Sequence, residues 1–241
     1  MINTTVILTA GVGSRLGNLT KDKPKILLDF NGKTILERQI ESFQSNGVNN
    51  FVIVAGHGLS YVIEEVVKIE KKLPGVKTKI IVNFDFATTQ NTYSLWLTKE
   101  EARNGFYLID GDVIAEQAVI DKICHSKHEN ALIGDSKCDI EVLVKIDDKG
   151  RVIGIGKHVP KKEGKYGSVG IHKFSSDFSS KLFPAIEELF REKGMKVIYE
   201  LAYEKILDKV DLKVEDATGL KWREIDLPSE YEEAKKIFNN L

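Results

Sequence analysis

The chain has 241 residues, of which 42% are hydrophobic and 29% charged, and its 35 basic and 36 acidic side chains leave a formal net charge of −1. That near-balance removes the generic electrostatic case for nucleic acid or an anionic membrane as a partner. No apolar run approaches the roughly 18 residues that span a bilayer, the N-terminus lacks signal-peptide grammar, and two cysteines, Cys124 and Cys138, cannot build a disulfide framework, so a cytoplasmic protein without membrane insertion is expected.

Residues 5–8 form a short apolar run closed by small residues, which reads as a buried strand. Ile35, Leu36, Ile40 and Phe43 recur at helical spacing, with Gly47 as a stop. A second buried strand is read at 51–54, a helix through Val62, Val66, Val67 and Ile69 ending before Pro74, and a third strand at 79–84. A helix is expected at 92–102 and a fourth strand at 106–109. Such β-α alternation predicts a mostly parallel sheet with helices on both faces. From about Asp139 the pattern changes: strands at 140–144, 152–155 and 169–174 stand close together, and Asp148-Lys149-Gly150 marks a hairpin turn. Helical stretches at 176–193 and about 197–209, strands at 213–215 and 222–225, and a last helix near Ser229 follow, with Ser229 and Glu232 at capping-box spacing. The expected fold class is α/β: a three-layer α-β-α arrangement with a mostly parallel mixed sheet and a small antiparallel extension. One domain is expected over 1–241, with halves of about 1–138 and 139–241.

The first strand runs directly into Leu8-Thr9-Ala10-Gly11-Val12-Gly13-Ser14-Arg15-Leu16, which continues to Lys23-Pro24-Lys25. Glycines in such a turn let backbone N–H groups wrap phosphate oxygens, and Arg15 adds a fixed fork of donors. Read alone, the segment is equally a tight βα turn with solvated basic residues. It is not a dinucleotide fingerprint, because Leu16 stands where a third glycine or alanine belongs. Asp110-Gly111-Asp112 closes the fourth strand, where carboxylates can hold Mg²⁺ beside phosphates or simply make a turn.

Residues 8–15 with Lys23-Pro24-Lys25 resemble the signature of nucleotidyltransferases that make nucleoside-diphosphate derivatives of sugars and phospho-alcohols. The resemblance implies a loop that holds an incoming triphosphate, contacted at Leu8, Ala10, Gly11, Gly13, Ser14 and Arg15, with Arg15 and Lys25 stabilising charge on the phosphates. It implies metal binding by Asp112, a place near the nucleotide for Asp110, and a late second metal ligand, Asp226, in Trp222-Arg223-Glu224-Ile225-Asp226. Glu224 is set aside, being placed on the opposite face of a strand from Asp226. The run Asn91-Thr92-Tyr93-Ser94-Leu95-Trp96 is similar to the cytidylyltransferase branch, with Asn91 and Ser94 at the nucleotide; it also suits a helix start capped by Asn91.

These likenesses make the first half nucleotide-binding and the second acceptor-binding. The implied ligands are Mg²⁺, CTP or another nucleoside triphosphate, and a small phosphorylated acceptor such as a phosphocholine-like or inositol 1-phosphate-like compound. A homodimer is compatible with this reading. Acceptor candidates are Tyr166, Gly170, Glu200, Tyr203 and Trp222, since aromatic faces plus a carboxylate suit a quaternary ammonium group; the rings could equally stack on an inositol or sugar ring, and for each ring singly core packing is the favoured reading. The basic stretch 157–165 is either a loop over the acceptor phosphate or an exposed hairpin connection. Cys124-His125-x-x-His128 lacks a second pair at zinc-site spacing, and Cys138 reads as an inert thiol. Two alternatives remain: a uridylyl- or thymidylyltransferase acting on a sugar 1-phosphate, and a nucleotide-binding subunit without catalysis.

Overall fold

The computed structural model describes residues 2–137 and 140–238; Cys138, and Asp139 at the boundary between the expected halves, lie outside them. The first half runs β1 (Thr4–Thr9), β2 (Asp29–Phe30), β3 (Lys33–Thr34), α1 (Ile35–Gln44), β4 (Asn50–Ala55), α2 (Leu59–Lys72), β5 (Lys77–Val82), α3 (Asn91–Trp96), α4 (Lys99–Ala102), β6 (Phe106–Asp110), β7 (Val113–Ala115), α5 (Gln117–Cys124) and β8 (Asn130–Asp135). The second runs β9 (Leu143–Ile146), β10 (Val152–Gly156), β11 (Tyr166–Phe174), α6 (Ser176–Lys193), α7 (Glu200–Glu204), β12 (Leu212–Asp216), β13 (Trp222–Glu224) and α8 (Pro228–Phe238).

Strands β5, β4, β1 and β6 lie side by side and parallel. β11 joins β6 antiparallel, then continues the sheet through β8, to which β12 is parallel; β9 and β10 extend from its first residues as an antiparallel hairpin. Strand alternation sends Ile7, Phe51, Ile53, Tyr107 and Ile109 to one core, covered by α1, α2, α5 and α8. Val6, Leu8, Val52, Val54, Phe106 and Leu108 go to a second core under α3, α4, α6 and α7. The α-β-α layering thus follows from strands that are apolar on both faces. Capping fixes the start of two covering helices: Thr34 Oγ1 accepts from Glu37 N at 3.1 Å, and Ser175 Oγ from Phe178 N at 3.2 Å.

Several expected elements differ. β8 has no counterpart among the strands read from sequence, although all six of its residues are buried. The helix expected over 92–102 breaks between α3 and α4, where Thr98 Oγ1 donates to Leu95 O at 2.7 Å. The strand expected at 140–144 begins only at Leu143, and the stretch 197–209 contracts to α7. The expected Ser229–Glu232 box is replaced at α8 by Glu230, whose carboxylate accepts from the backbone N–H groups of Asp226 and Leu227 at 2.7 and 2.8 Å.

Candidate active site

A cleft of two adjoining lobes opens at the C-terminal ends of β1 and β6, where open α/β sheets place ligands. One lobe, about 470 Å³, is lined by residues 8–15 and by Asn83, Phe86, Gln90 and Ser94 among others. The other, about 360 Å³, is lined by Glu141, Val142, Lys157, Ser168, Gly170 and Glu200 among others. Arg15, Asn91, Asp110, Asp112, Glu224 and Asp226 line both.

The walls are stitched by backbone. Gly111 N donates to Leu8 O at 2.8 Å, and a Cβ on Gly111 would stand 2.6 Å from that oxygen. Only glycine permits this approach, so the residue between Asp110 and Asp112 joins the end of β6 to the end of β1. The glycine loop is closed by Leu16 N and Thr20 Oγ1, which donate to Gly13 O at 3.0 and 2.7 Å.

At the junction of the lobes, Lys25 Nζ donates to Asp112 Oδ2 at 3.0 Å and to Asp226 Oδ1 at 2.5 Å. Arg15 donates to Asp226 Oδ2 at 2.6 Å. Burial works against the Lys25 charge, but the two carboxylates outweigh it and its pKa is raised. Carboxylate oxygens of Asp112, Glu224 and Asp226 lie within 4.8 Å of one another. An all-oxygen set of this size fits a hard divalent cation such as Mg²⁺, and the Lys25 ammonium already shows positive charge stabilised there. Glu224 therefore stands with the candidate ligands, against the expectation: residues two apart on a strand share a face, so alternation places Glu224 with Asp226. Although Glu224 is exposed as a whole residue, its carboxyl is pushed up to about 7, by loss of water first and by the Asp112 and Asp226 charges second.

Asp110 is enclosed. Desolvation, then the Asp112 charge, hold its pKa well above the carboxylate range, while Tyr199 Oη, donating to Asp110 Oδ2 at 2.7 Å, pulls the other way. Gly170 packs over it with φ +75°, and a Cβ there would stand 2.7 Å from Asp110 Oδ2. In the first lobe Asn83, 1% exposed, donates to Ser94 Oγ at 3.0 Å and Thr89 Oγ1 at 3.2 Å. The reading from sequence missed Asn83, Phe86, Thr89 and Gln90 because it carried the third strand through 84. An amide at the end of a β-branched run, at the ligand-binding edge of a sheet, was the available signal.

The structure brings Leu8, Ala10, Gly11, Gly13, Ser14, Arg15, Lys25, Asn91, Ser94, Asp110, Asp112 and Asp226 to the first lobe, and Gly170 and Glu200 to the second. It does not bring three acceptor candidates there. Tyr203 is fully buried, its ring packed edge-on to Phe174 and Phe178. Trp222 is 6% exposed in the core under α8, and its Nε1 donates to Asp135 Oδ2 at 2.9 Å. Tyr166 is half-buried outside both lobes, with Lys165 over its ring. Ring burial in the core outweighs exposure in a polar cleft. Lys157, at the start of the basic stretch, does line the second lobe, paired with Glu141.

Residues 5–207 match the model of the MobA-like NTP transferase domain, and the chain belongs to that family. It is 31% identical, over 98% of its length, to the bifunctional IPC transferase and DIPP synthase of Aquifex aeolicus (strain VF5), of which it spans 52%. It is 28% identical to the choline-phosphate cytidylyltransferase of Streptococcus pneumoniae (strain ATCC BAA-255 / R6), with 98% of each chain covered. The solved structure of CTP:phosphocholine cytidylyltransferase from S. pneumoniae superposes with a TM-score of 0.79 at 25% identity, covering 98% of this chain and 99% of that one.

Proposed function

We propose that the protein is a cytidylyltransferase that moves CMP from CTP to a small phosphorylated alcohol or a phosphonate. The observation that carries this reading is the Lys25 ammonium held between Asp112 and Asp226 beside the glycine loop. Both signs of charge meet at one point, as a metal–triphosphate complex requires. The named activity of the S. pneumoniae relative, choline-phosphate cytidylyltransferase, supports cytidine as the base and a phospho-alcohol as the acceptor.

In this reading residues 10–15 bind the triphosphate, and Asn83, Gln90, Asn91 and Ser94 face the base and ribose. Asp112 and Asp226, with Glu224 beside them, would hold the divalent cation, which supplies charge neutralisation and fixes the phosphate geometry. Lys25 leaves its carboxylate partners for phosphate oxygens. A phosphate or phosphonate oxygen of the acceptor forms a bond to the α-phosphorus in line. The bond from that phosphorus to the bridging oxygen breaks, and pyrophosphate leaves with its electron pair. The acceptor oxygen is already ionised near neutral pH, so no general base is required. Arg15 and Lys25 stabilise the charge growing on pyrophosphate, and Lys157 offers a cation to the acceptor phosphate across the lobe. Catalysis is then positioning and electrostatics.

A panel of CTP, UTP, dTTP, ATP and GTP against phosphocholine, 2-aminoethylphosphonate, inositol 1-phosphate and glucose 1-phosphate tests the proposal through pyrophosphate release. CTP-dependent release is expected. Preference for UTP or dTTP with glucose 1-phosphate would replace the reading with a sugar-nucleotide one. Nucleotide binding without any turnover would replace it with a regulatory subunit.

A further inference from the structure

Among the described residues, three oxygens of the second lobe's lining are buried with nothing to bond: Asn91 Oδ1, which the first lobe shares, and Ser168 Oγ and Glu200 Oε2, which line the second lobe alone. Glu200 is 5% exposed and Ser168 7%, both line the lobe, and among the described residues neither Glu200 Oε2 nor Ser168 Oγ has a hydrogen-bond partner. Burial pushes the Glu200 carboxyl up to about 7, while its own backbone N–H and, through space, Lys157 favour the charged form; a cation beside it would hold it ionised. Leaving a buried polar atom unpaired is unfavourable, and more so for a charged one. Such atoms are retained where a ligand brings the missing donors.

The donors required are N–H or O–H groups, because a carboxylate only accepts. A quaternary ammonium has none and is recognised by ring faces instead. The rings that would serve are committed elsewhere: Tyr203 to Phe174 and Phe178, Trp222 to Asp135, and Tyr199 through its hydroxyl to Asp110. A neutral hydroxyl would satisfy Ser168 yet leave the buried Glu200 without a counter-charge. The same lobe is also lined by Val142, Val169 and Ile198, apolar surface suited to methylenes. Its volume of about 360 Å³ is shared with Arg15, Asp112 and Asp226, so a phosphate at the junction and a cation at Glu200 occupy one small space.

We propose that the acceptor carries a primary ammonium on a short alkyl chain, with the Glu200 carboxylate as its counter-ion and Ser168 Oγ as a second hydrogen-bond acceptor. This rests on the cytidylyltransferase reading and narrows its substrate class.

The test is a graded N-methylation series with CTP: phosphoethanolamine, its mono- and dimethyl derivatives, phosphocholine, and ethylene glycol monophosphate as the hydroxyl isostere. We expect kcat/KM to fall stepwise with methylation, by about 100-fold from primary to quaternary, and by at least about 10-fold for the isostere. Equal or better turnover of phosphocholine or of the isostere would overturn the proposal. Glu200→Gln keeps the shape and removes the charge. It should bring phosphoethanolamine and the isostere to within about threefold of each other by raising the KM of the amine, with the KM for CTP retained; an unchanged preference overturns the assignment. If no acceptor supports pyrophosphate release from CTP, the cytidylyltransferase reading fails, and calorimetry then reads the ammonium site directly. Phosphoethanolamine bound in preference to phosphocholine, and lost in Glu200→Gln, supports it; equal or absent binding overturns it.

Discussion

In the first lobe several polar side chains are already paired with one another, Asn83 with Ser94 and Thr89, Lys25 with Asp112 and Asp226, while Asn91 Oδ1, shared with the second lobe, is unpaired among the described residues. In the second, Ser168 and Glu200 keep buried oxygens unpaired. The same sheet supports both, yet on the proposal above one lobe is largely pre-assembled and the other would be completed by what enters it. The first is built from parallel strand ends and a tight loop. The second is built from an antiparallel extension and the short α7. Mutations in the first lobe should therefore cost turnover through lost geometry and charge, and changes in the second should redistribute preference among acceptors.

The largest effect should come from Asp112→Ala, which removes one partner of Lys25 and one metal-ligand candidate. Turnover should fall by at least about 10³-fold with the circular dichroism spectrum retained; near-wild-type pyrophosphate release would remove Asp112 from the metal site. Lys25→Ala should slow the chemical step by about 10²–10³-fold, read in single-turnover quench-flow, and an unchanged rate would exclude the lysine from charge stabilisation. Both changes would break the comparison if the first lobe proved tolerant.

A smaller, pH-dependent effect is expected beneath the second lobe. His172 is fully buried on β11, and burial drives its pKa down to about 3 from a usual 6.5. The unfolded chain takes up a proton near pH 6.5 and the folded one only near 3, so stability is intact above 6.5 and lost as the pH falls toward 3. His172→Gln should abolish that component. The wild type should lose up to about 1.4 kcal/mol per pH unit relative to the variant through this window, measured by urea unfolding at several pH values. Parallel curves for the two proteins would refute the assignment. The smallest effect on activity is expected for Trp222→Phe. It should cost about 1 kcal/mol of stability through the lost bond to Asp135 and leave acceptor kinetics within about twofold. A large change in acceptor KM would return Trp222 to the site.

The residues between Gly11 and Lys25 were legible in the sequence because their chemistry is contiguous: strand, small turn, arginine, proline and lysine follow in one run. Asp112 and Asp226 required a family likeness, since 114 residues separate them and no spacing rule joins them. The aromatic candidates lie away from the two lobes for a different reason. Composition near a site does not give side-chain direction, and α7 turns Tyr203 into the core while β13 turns Trp222 toward Asp135. β8 escaped notice because Gly134 interrupts a brief apolar run flanked by polar residues, although its neighbours on both sides, β11 and β12, supply the pairing that makes it a strand. Glu224 was legible and was misplaced by misapplying the strand period.

The bridging lysine has a last implication. A cluster of carboxylates standing open to solvent would bind whatever divalent ion was abundant. Here the protein brings its own occupant: one tethered ammonium pairs with two acids. On the proposed reading, a bound triphosphate would draw Lys25 to its phosphates and release the acids when a nucleotide-borne cation is at hand. Admission would then be conditional on cargo. Free Mn²⁺ should bind weakly without nucleotide and more tightly with it, which electron paramagnetic resonance titration reads directly; equal affinity in the two cases would contradict this.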